Sequence, residues 1–306
     1  YRLGEFLGSQ PMAEGTVQTN YAVQTAKGKF LLRYYENRSA GSVRFECSLV
    51  RYLSERAYPC PAPVRDRRGK YVGVFHGKPF AIFTFIEGRH LETPNGEQEN
   101  QLIQKAAELQ TLTRRYRPSN LRHRWNYSPA LCRELAQETA RKIGTADAKT
   151  KLEWLTEELA KLALPRPLPK GICHCDFHFS NILFKDGKFA ALLDFDDANY
   201  TYLTYDLVSL MNPFICAFDW NKWSQFRPGE NILDFCQAKT VVTAYMKHRP
   251  LSAIEKKHLF DVYKLSILFD CIWYFERGGA RDFYEKRKID ALNELGREAF
   301  YHQLFD

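Results

Sequence analysis

Around residue 86 the hydrophobic period of the chain changes, and this change constrains the fold more than any other feature. Before it, Val17, Thr19, Tyr21, Val23 and Thr25 alternate with polar or small neighbours, and Phe30-Leu31-Leu32-Arg33-Tyr34 follows the turn Ala26-Lys27-Gly28-Lys29. Period two around a glycine-bearing turn predicts a β-hairpin. A second hairpin is expected from Tyr71 to Phe75, a turn at His76-Gly77-Lys78, and Pro79 to Ile86. Between the hairpins, apolar residues at 43, 45, 47, 49, 50, 52 and 53 fit one amphipathic helix over Ser42–Glu55, which Pro59, Pro61 and Pro63 terminate. Beyond Glu87-Gly88 the spacing becomes helical, with segments expected at Glu97–Thr113, Ser128–Ile143, Ala146–Leu164, Tyr205–Phe218, Ile232–Lys247, Ser252–Phe275 and Phe283–Tyr301.

This order predicts an α+β chain in two parts, residues 1–86 and 87–306: a small antiparallel-sheet lobe with one helix, a hinge near Phe85–Gly88, and a larger, mainly helical lobe. At 306 residues there is enough chain to bury a core in each. No apolar run approaches the ~20 residues a membrane helix needs, and no secretory leader is visible, so a cytoplasmic location without a membrane partner is expected. The eight cysteines are scattered, mostly in apolar stretches, as suits reduced thiols. A net charge of +8 suits an anionic partner such as a nucleotide without singling out nucleic acid. The basic runs Arg65-Asp66-Arg67-Arg68 and Arg114-Arg115-Tyr116-Arg117 read as solvated surface.

After the proline-rich connector Leu164-Pro165-Arg166-Pro167-Leu168-Pro169 comes the stretch CHCDFHFSNILFKDGKFAALLDFDD, residues 173–197. Cys173, His174, Cys175 and His178 invite a zinc reading. In an extended segment, however, neighbours point to opposite faces, and His174 and His178 lack the glutamate of a helical zinc pair. A plain hairpin between polar turns is the structural alternative. Phosphoryl transfer accounts for more of the residues. His174-x-Asp176-x-x-x-x-Asn181 sets a carboxylate and an amide on one loop, and two short apolar strands turning at Asp186-Gly187 would return Asp194-Phe195-Asp196 beside it. A carboxylate can orient an acceptor hydroxyl and receive its proton. Hard oxygen ligands suit the metal ions that neutralise phosphates.

This stretch resembles the catalytic loop and metal-binding motif of the aminoglycoside phosphotransferase and choline kinase superfamily, small-molecule relatives of protein kinases. The resemblance implies a bilobal protein-kinase-like fold that uses ATP and Mg2+, with Asp176 as catalytic base and Asn181 and Asp194 as magnesium ligands. It gives His174 a supporting role and has Asp206 brace the loop from a following helix. In the first lobe it implies a phosphate-covering turn with Gly15, and Arg33 where most kinases carry lysine, with Glu46 as its matching acid. Backbone groups around Phe85 and Ile86 would meet the adenine. The plain alternative for Arg33 is a solvent-facing strand residue.

Within the superfamily, Ala13-Glu14-Gly15 with Thr19-Asn20-Tyr21, Cys60-Pro61-Ala62-Pro63, Gly77–Phe83, Tyr202–Leu207 and the stretch 220–235 resemble phosphotransferase-type homoserine kinases. This implies a small, amine-bearing acceptor with a hydroxyl, homoserine first. An aminoglycoside, choline or methylthioribose, or a kinase-shaped module that binds nucleotide with little turnover, are the alternatives. Asp196 departs from the aromatic such kinases tend to carry there. Asp196 and Asp197 could dock a cationic acceptor; alternatively Asp196 helps hold magnesium and Asp197 is solvated. By residue type Asp219, Trp220, Asp270, Trp273, Tyr274 and Glu276 are further acceptor candidates, since an ammonium needs carboxylates or aromatic faces.

Overall fold

The computed structural model describes residues 1–12, 17–215 and 232–306. Gly15, Asp219 and Trp220 lie outside the described residues, as does the end of the expected Tyr205–Phe218 helix. Packing divides the chain into two compact units. The first comprises residues 1–105, 109–125 and 176–199, and the second 106–108, 126–175 and 200–306.

In the first unit β1 (Phe6–Pro11), β2 (Thr19–Thr25), β3 (Gly28–Tyr34), β4 (Val72–Phe75) and β5 (Lys78–Thr84) form one antiparallel sheet in the order β1-β2-β3-β5-β4. The β4–β5 hairpin closes through His76 and Gly77, both at positive φ (46° and 78°), the two-residue turn whose twist matches that of its strands. The helix α1 (Ala40–Ser54) buries Val43, Phe45, Leu49, Val50 and Leu53. It begins two residues before the expected Ser42, because Ser39 is the N-cap and its hydroxyl accepts from the Ser42 amide.

The short strands β6 (Lys170–Cys173), β7 (Ile182–Lys185) and β8 (Lys188–Leu192) follow α2 (Gly96–Thr113), α3 (Pro129–Ile143) and α4 (Ala146–Ala160). The β7–β8 hairpin belongs to the first unit. Its turn, Asp186-Gly187, again has both residues at positive φ (51° and 75°). The expected hinge, Phe85–Gly88, has no regular structure, and just beyond it Arg89 exchanges two backbone hydrogen bonds with Phe184 at 2.9 Å. Gly88 is needed for this approach, since a Cβ there would lie 2.9 Å from the Leu183 side chain and 3.1 Å from the Phe184 carbonyl oxygen.

The second unit is mainly helical. Beyond β6, β9 (Asn199–Tyr202) and α5 (Tyr205–Ile215) come α6 (Cys236–His248), α7 (Ala253–Cys271) and α8 (Tyr284–Phe305). α7 is buried nearly all round, so the charges it carries inside must be paired. Asp261 takes the Arg297 guanidinium at 2.6 Å, and Lys264 meets Glu158 at 2.6 Å. These pairings also set element ends. α4 stops at Ala160, short of the expected Leu164, because the Ala163 amide turns to Asp261 and Arg297 takes the Lys161 carbonyl. α8 breaks at Gly296 (φ 76°, ψ 165°), where only glycine is at ease.

The buried ammonium of Lys151 has no carboxylate in the hydrogen-bond set that holds it. It donates to the carbonyls of Tyr274, Phe275, Arg277 and Gly278 at 2.7, 3.4, 2.8 and 2.8 Å, tying down the turn that carries Glu276. Lys151→Met removes the donor and leaves these carbonyls to find water. The free energy of urea unfolding is expected to fall by about 2–4 kcal/mol. A loss within about 0.5 kcal/mol would show that the turn does not depend on the ammonium.

Candidate active site

The loop residues come first. β6 runs into His174 and Cys175, whose amides donate to the two carboxylate oxygens of Asp206 at 3.2 and 2.9 Å. Asp206 is fully buried in the first turn of α5, where the helix dipole favours an acid. His174 is likewise fully buried, while Cys175 sits at φ 67°, an unusual backbone for a non-glycine residue and one met at functional sites. The next residue, Asp176, is exposed. Asn181, at the end of the 3-10 turn Phe179–Asn181, donates its amide to the Asp176 carbonyl at 3.0 Å and to the carboxylate Oδ2 at 2.7 Å. Among the described residues no hydrogen bond engages Asp176 Oδ1, which leaves that oxygen to receive a proton from a hydroxyl.

The hairpin closes the arrangement. The amide of Leu193 donates to the Asn181 carbonyl at 2.7 Å, so the return strand ends beside the loop that began it. Asp194 follows at φ 57°. Its Oδ1 accepts from Arg33 Nη1 at 2.7 Å, and the same nitrogen lies 3.7 Å from Glu46 Oε1. The β2–β3 register places Asn20 directly opposite Arg33, and its amide oxygen accepts from Arg33 Nε at 3.1 Å. Arg33 is 9% exposed, so it does not face solvent. Burial alone would lower its pKa, but Asp194, then Tyr35 and Glu46, reverse this and leave it raised. In the sequence Asn20 stands out only as part of Thr19-Asn20-Tyr21, and nothing there marks it as the partner of a cation.

A cavity of about 610 Å3 in the first unit holds Arg33, Glu46, Asp176, Asn181 and Asp194 at its polar end, with Leu31, Val50, Pro61 and Phe83 among its apolar walls. A flat aromatic ligand suits those walls and an anionic group suits Arg33. Phe85 and Ile86 lie in the coil just past β5, with the Lys29 ammonium 3.8 Å from the Phe85 ring centroid.

Asp196 and Asp197 differ in what they can do. Asp196 is 8% exposed, and both of its oxygens are engaged: Arg38 Nε donates to them at 2.9 and 3.0 Å, Arg38 Nη2 to Oδ2 at 2.9 Å, and Gln18 Nε2 to Oδ2 at 3.0 Å. Asp197 takes Arg38 Nη2 at 3.0 Å and keeps 35% of its side chain exposed, so it is not simply solvated. Burial raises the Asp197 pKa, which Arg38 opposes and the charges of Asp196, Asp176 and Asp194 reinforce. Glu276 is exposed in the second unit.

The residues weighed as zinc ligands do not converge. The Cys173 thiol donates to the Tyr202 carbonyl at 3.3 Å, and His178 Nδ1 accepts the Ser180 amide at 3.2 Å. Among the described residues there is no group of three or more His, Cys, Asp or Glu side chains able to cage a metal. Asn181, donating through its nitrogen, keeps its amide oxygen as an acceptor, and it lines the same cavity as Asp194. That two-oxygen set suits a magnesium ion completed by phosphate and water.

Glu46 is 3% exposed, and its Oε2 has no hydrogen-bond partner among the described residues. Burial raises its pKa from 4.5 to about 7, although Arg33 pulls the other way. Between those values the folded protein binds this proton more tightly than the unfolded chain, so stability falls as pH rises through the window. Glu46→Gln removes that proton exchange. The drop in urea unfolding free energy from pH 5 to pH 8 is expected to shrink by roughly 2–3 kcal/mol. An unaltered drop would exclude Glu46 as its source.

Residues 9–249 match the phosphotransferase enzyme family. The homoserine kinase of Methylobacterium radiotolerans is 32% identical over 300 residues, covering 96% of this chain and 84% of that protein. The homoserine kinase of Rhodopseudomonas palustris (strain BisA53) is 30% identical over 302 residues, covering 96% and 82%. Among solved structures, an amicoumacin kinase in complex with AMP-PNP and Ca2+ superposes with a TM-score of 0.65 at 18% identity, covering 99% of this chain and 94% of that one. The N-terminal antiparallel sheet, the mainly helical remainder and these matches together make the chain a member of the phosphotransferase enzyme family, with a protein-kinase-like fold.

Proposed function

We propose that the protein is an ATP- and magnesium-dependent kinase that phosphorylates the side-chain hydroxyl of homoserine. The observation that carries the reaction is the Asn181 amide gripping Asp176 on one side while Asp194 stands beside it, paired to Arg33. In this reading residues 1–86 bind the nucleotide, and residues 87–306 supply the catalytic loop and the acceptor site. Asp176, held in one rotamer by Asn181, orients the acceptor hydroxyl and takes its proton through Oδ1. Asn181 and Asp194 hold magnesium, which when bound neutralises phosphate charge. Arg33, raised in pKa and fixed by Asn20, stays cationic and offers a planar fork to a phosphate. Glu46 keeps that fork in place.

The acceptor assignment follows the homoserine kinases that match nearly the whole chain. A second observation favours a small zwitterion over a polycationic aminoglycoside. Asp196 and Asp197 are matched by Arg38 and approached by Arg124, so this acidic pair presents little uncompensated negative charge. Asp197 is partly exposed and Glu276 exposed, and either carboxylate can meet an amine. Among the described residues no helix is long and apolar enough to cross a membrane, and a cytoplasmic location suits the ATP requirement.

Release of ADP from MgATP, measured against homoserine, choline, methylthioribose, ethanolamine and an aminoglycoside, tests the assignment. A strong rate with homoserine is expected. A strong rate with another acceptor would keep the reaction and replace the substrate, and no acceptor-dependent rate despite nucleotide binding would leave a kinase-shaped binder. Asp176→Ala should lower kcat by about 10^3-fold while nucleotide affinity stays within about threefold. Unchanged turnover would remove Asp176 from the chemistry.

A further inference from the structure

Arg124 takes no part in the chemistry above, yet only 3% of its side chain is exposed. It closes the 3-10 turn Leu121–His123. Its Nη2 donates to the Phe195 carbonyl at 2.5 Å, Nε to the Ala198 carbonyl at 2.9 Å, and Nη1 to the Ser42 hydroxyl at 2.8 Å. Asp196 Oδ1 lies 3.9 Å from Nη1, and the Phe45 ring centroid lies 4.9 Å from the guanidinium carbon. Phe195 directly follows Asp194. Ser42 precedes Glu46 by one helical turn and so shares its face of α1. One guanidinium therefore joins the segment that carries the metal carboxylate to the helix that carries the acid facing Arg33. Arg38 also holds Asp196, two residues past Asp194.

The backbone at Asp194 explains why such a clamp is needed. Its φ of 57° is strained for a non-glycine residue, and that conformation persists only where the surroundings over-determine it. The two carbonyls taken by Arg124 lie one and four residues beyond Asp194, so they restrain the chain at the point where it leaves the left-handed residue.

We propose that Arg124 is a positioning residue for metal binding. By holding the carbonyls of Phe195 and Ala198 against α1, it keeps Asp194 in the left-handed conformation from which its carboxylate serves the nucleotide-bound magnesium. The inference rests on the kinase reading above. A lysine keeps the charge but cannot span three acceptors in one plane, so Arg124→Lys releases the carbonyls without unpairing Asp196 entirely.

Calorimetric binding of a non-hydrolysable ATP analogue, with and without Mg2+, separates the possibilities. In the unsubstituted protein Mg2+ should tighten binding. In Arg124→Lys that gain should shrink by about tenfold or more while metal-free affinity stays within about twofold, the size expected when a group supporting a metal ligand is lost. A full gain in the folded variant, or an equal loss with and without Mg2+, would overturn the inference and leave the kinase reading standing. No gain in the unsubstituted protein would overturn both. Should Arg124→Lys fail to fold, Arg38→Gln loosens the same segment at Asp196. The same selective loss is expected there, and its absence would overturn the inference.

Discussion

A guanidinium can be buried only where acceptors meet its N–H donors and negative charge offsets the lost hydration, and the first unit meets that requirement twice. Arg33 is enclosed by Asn20, Glu46 and Asp194, and Arg124 by Ser42, Asp196 and two carbonyls. Each set draws on segments far apart in the chain. The sheet, α1, the turn before Trp125 and the β7–β8 hairpin are therefore held together by charge as well as by apolar packing. Removing a single partner strands a buried charge, which is why these contacts weigh more than the surface pairs on α3 and α4.

Much of this was legible in the sequence, for reasons that can be named. The hairpins announced themselves through period-two runs broken by His76-Gly77 and Asp186-Gly187, because few residues tolerate the positive φ of a two-residue turn. The spacing from Asp176 to Asn181 to Asp194 survived translation into geometry because a hairpin of fixed length joins its two ends. Arg33 and Glu46 are 13 residues apart, yet α1 packs on β5, the strand beside β3, and this brings them within 3.7 Å.

What was not legible depends on tertiary neighbours. Arg124 looks like any arginine in a polar stretch, since its partners are mainly carbonyls and every residue has one. Asn20 acquires its role only through the cross-strand register. The C-terminal end of α4 follows from Asp261 and Arg297, more than thirty residues apart along the chain. Asp196 and Asp197 read alike as two adjacent acids. Side-chain direction alone commits the first to Arg38 and Gln18 and leaves the second partly open.

The choice of arginine at position 33 also has a calorimetric consequence. Guanidinium groups keep their charge at any pH a cell meets, so Arg33 cannot respond to a ligand by losing a proton. Glu46 can, because burial has brought its pKa to about 7. In the proposed kinase reading, a phosphate arriving at Arg33 competes with Glu46 for the guanidinium, and the carboxylate answers by holding its proton more tightly. Nucleotide binding near neutrality would then draw a fraction of a proton from the buffer. On that reading the heat of association is expected to vary with the ionisation enthalpy of whichever buffer surrounds the protein.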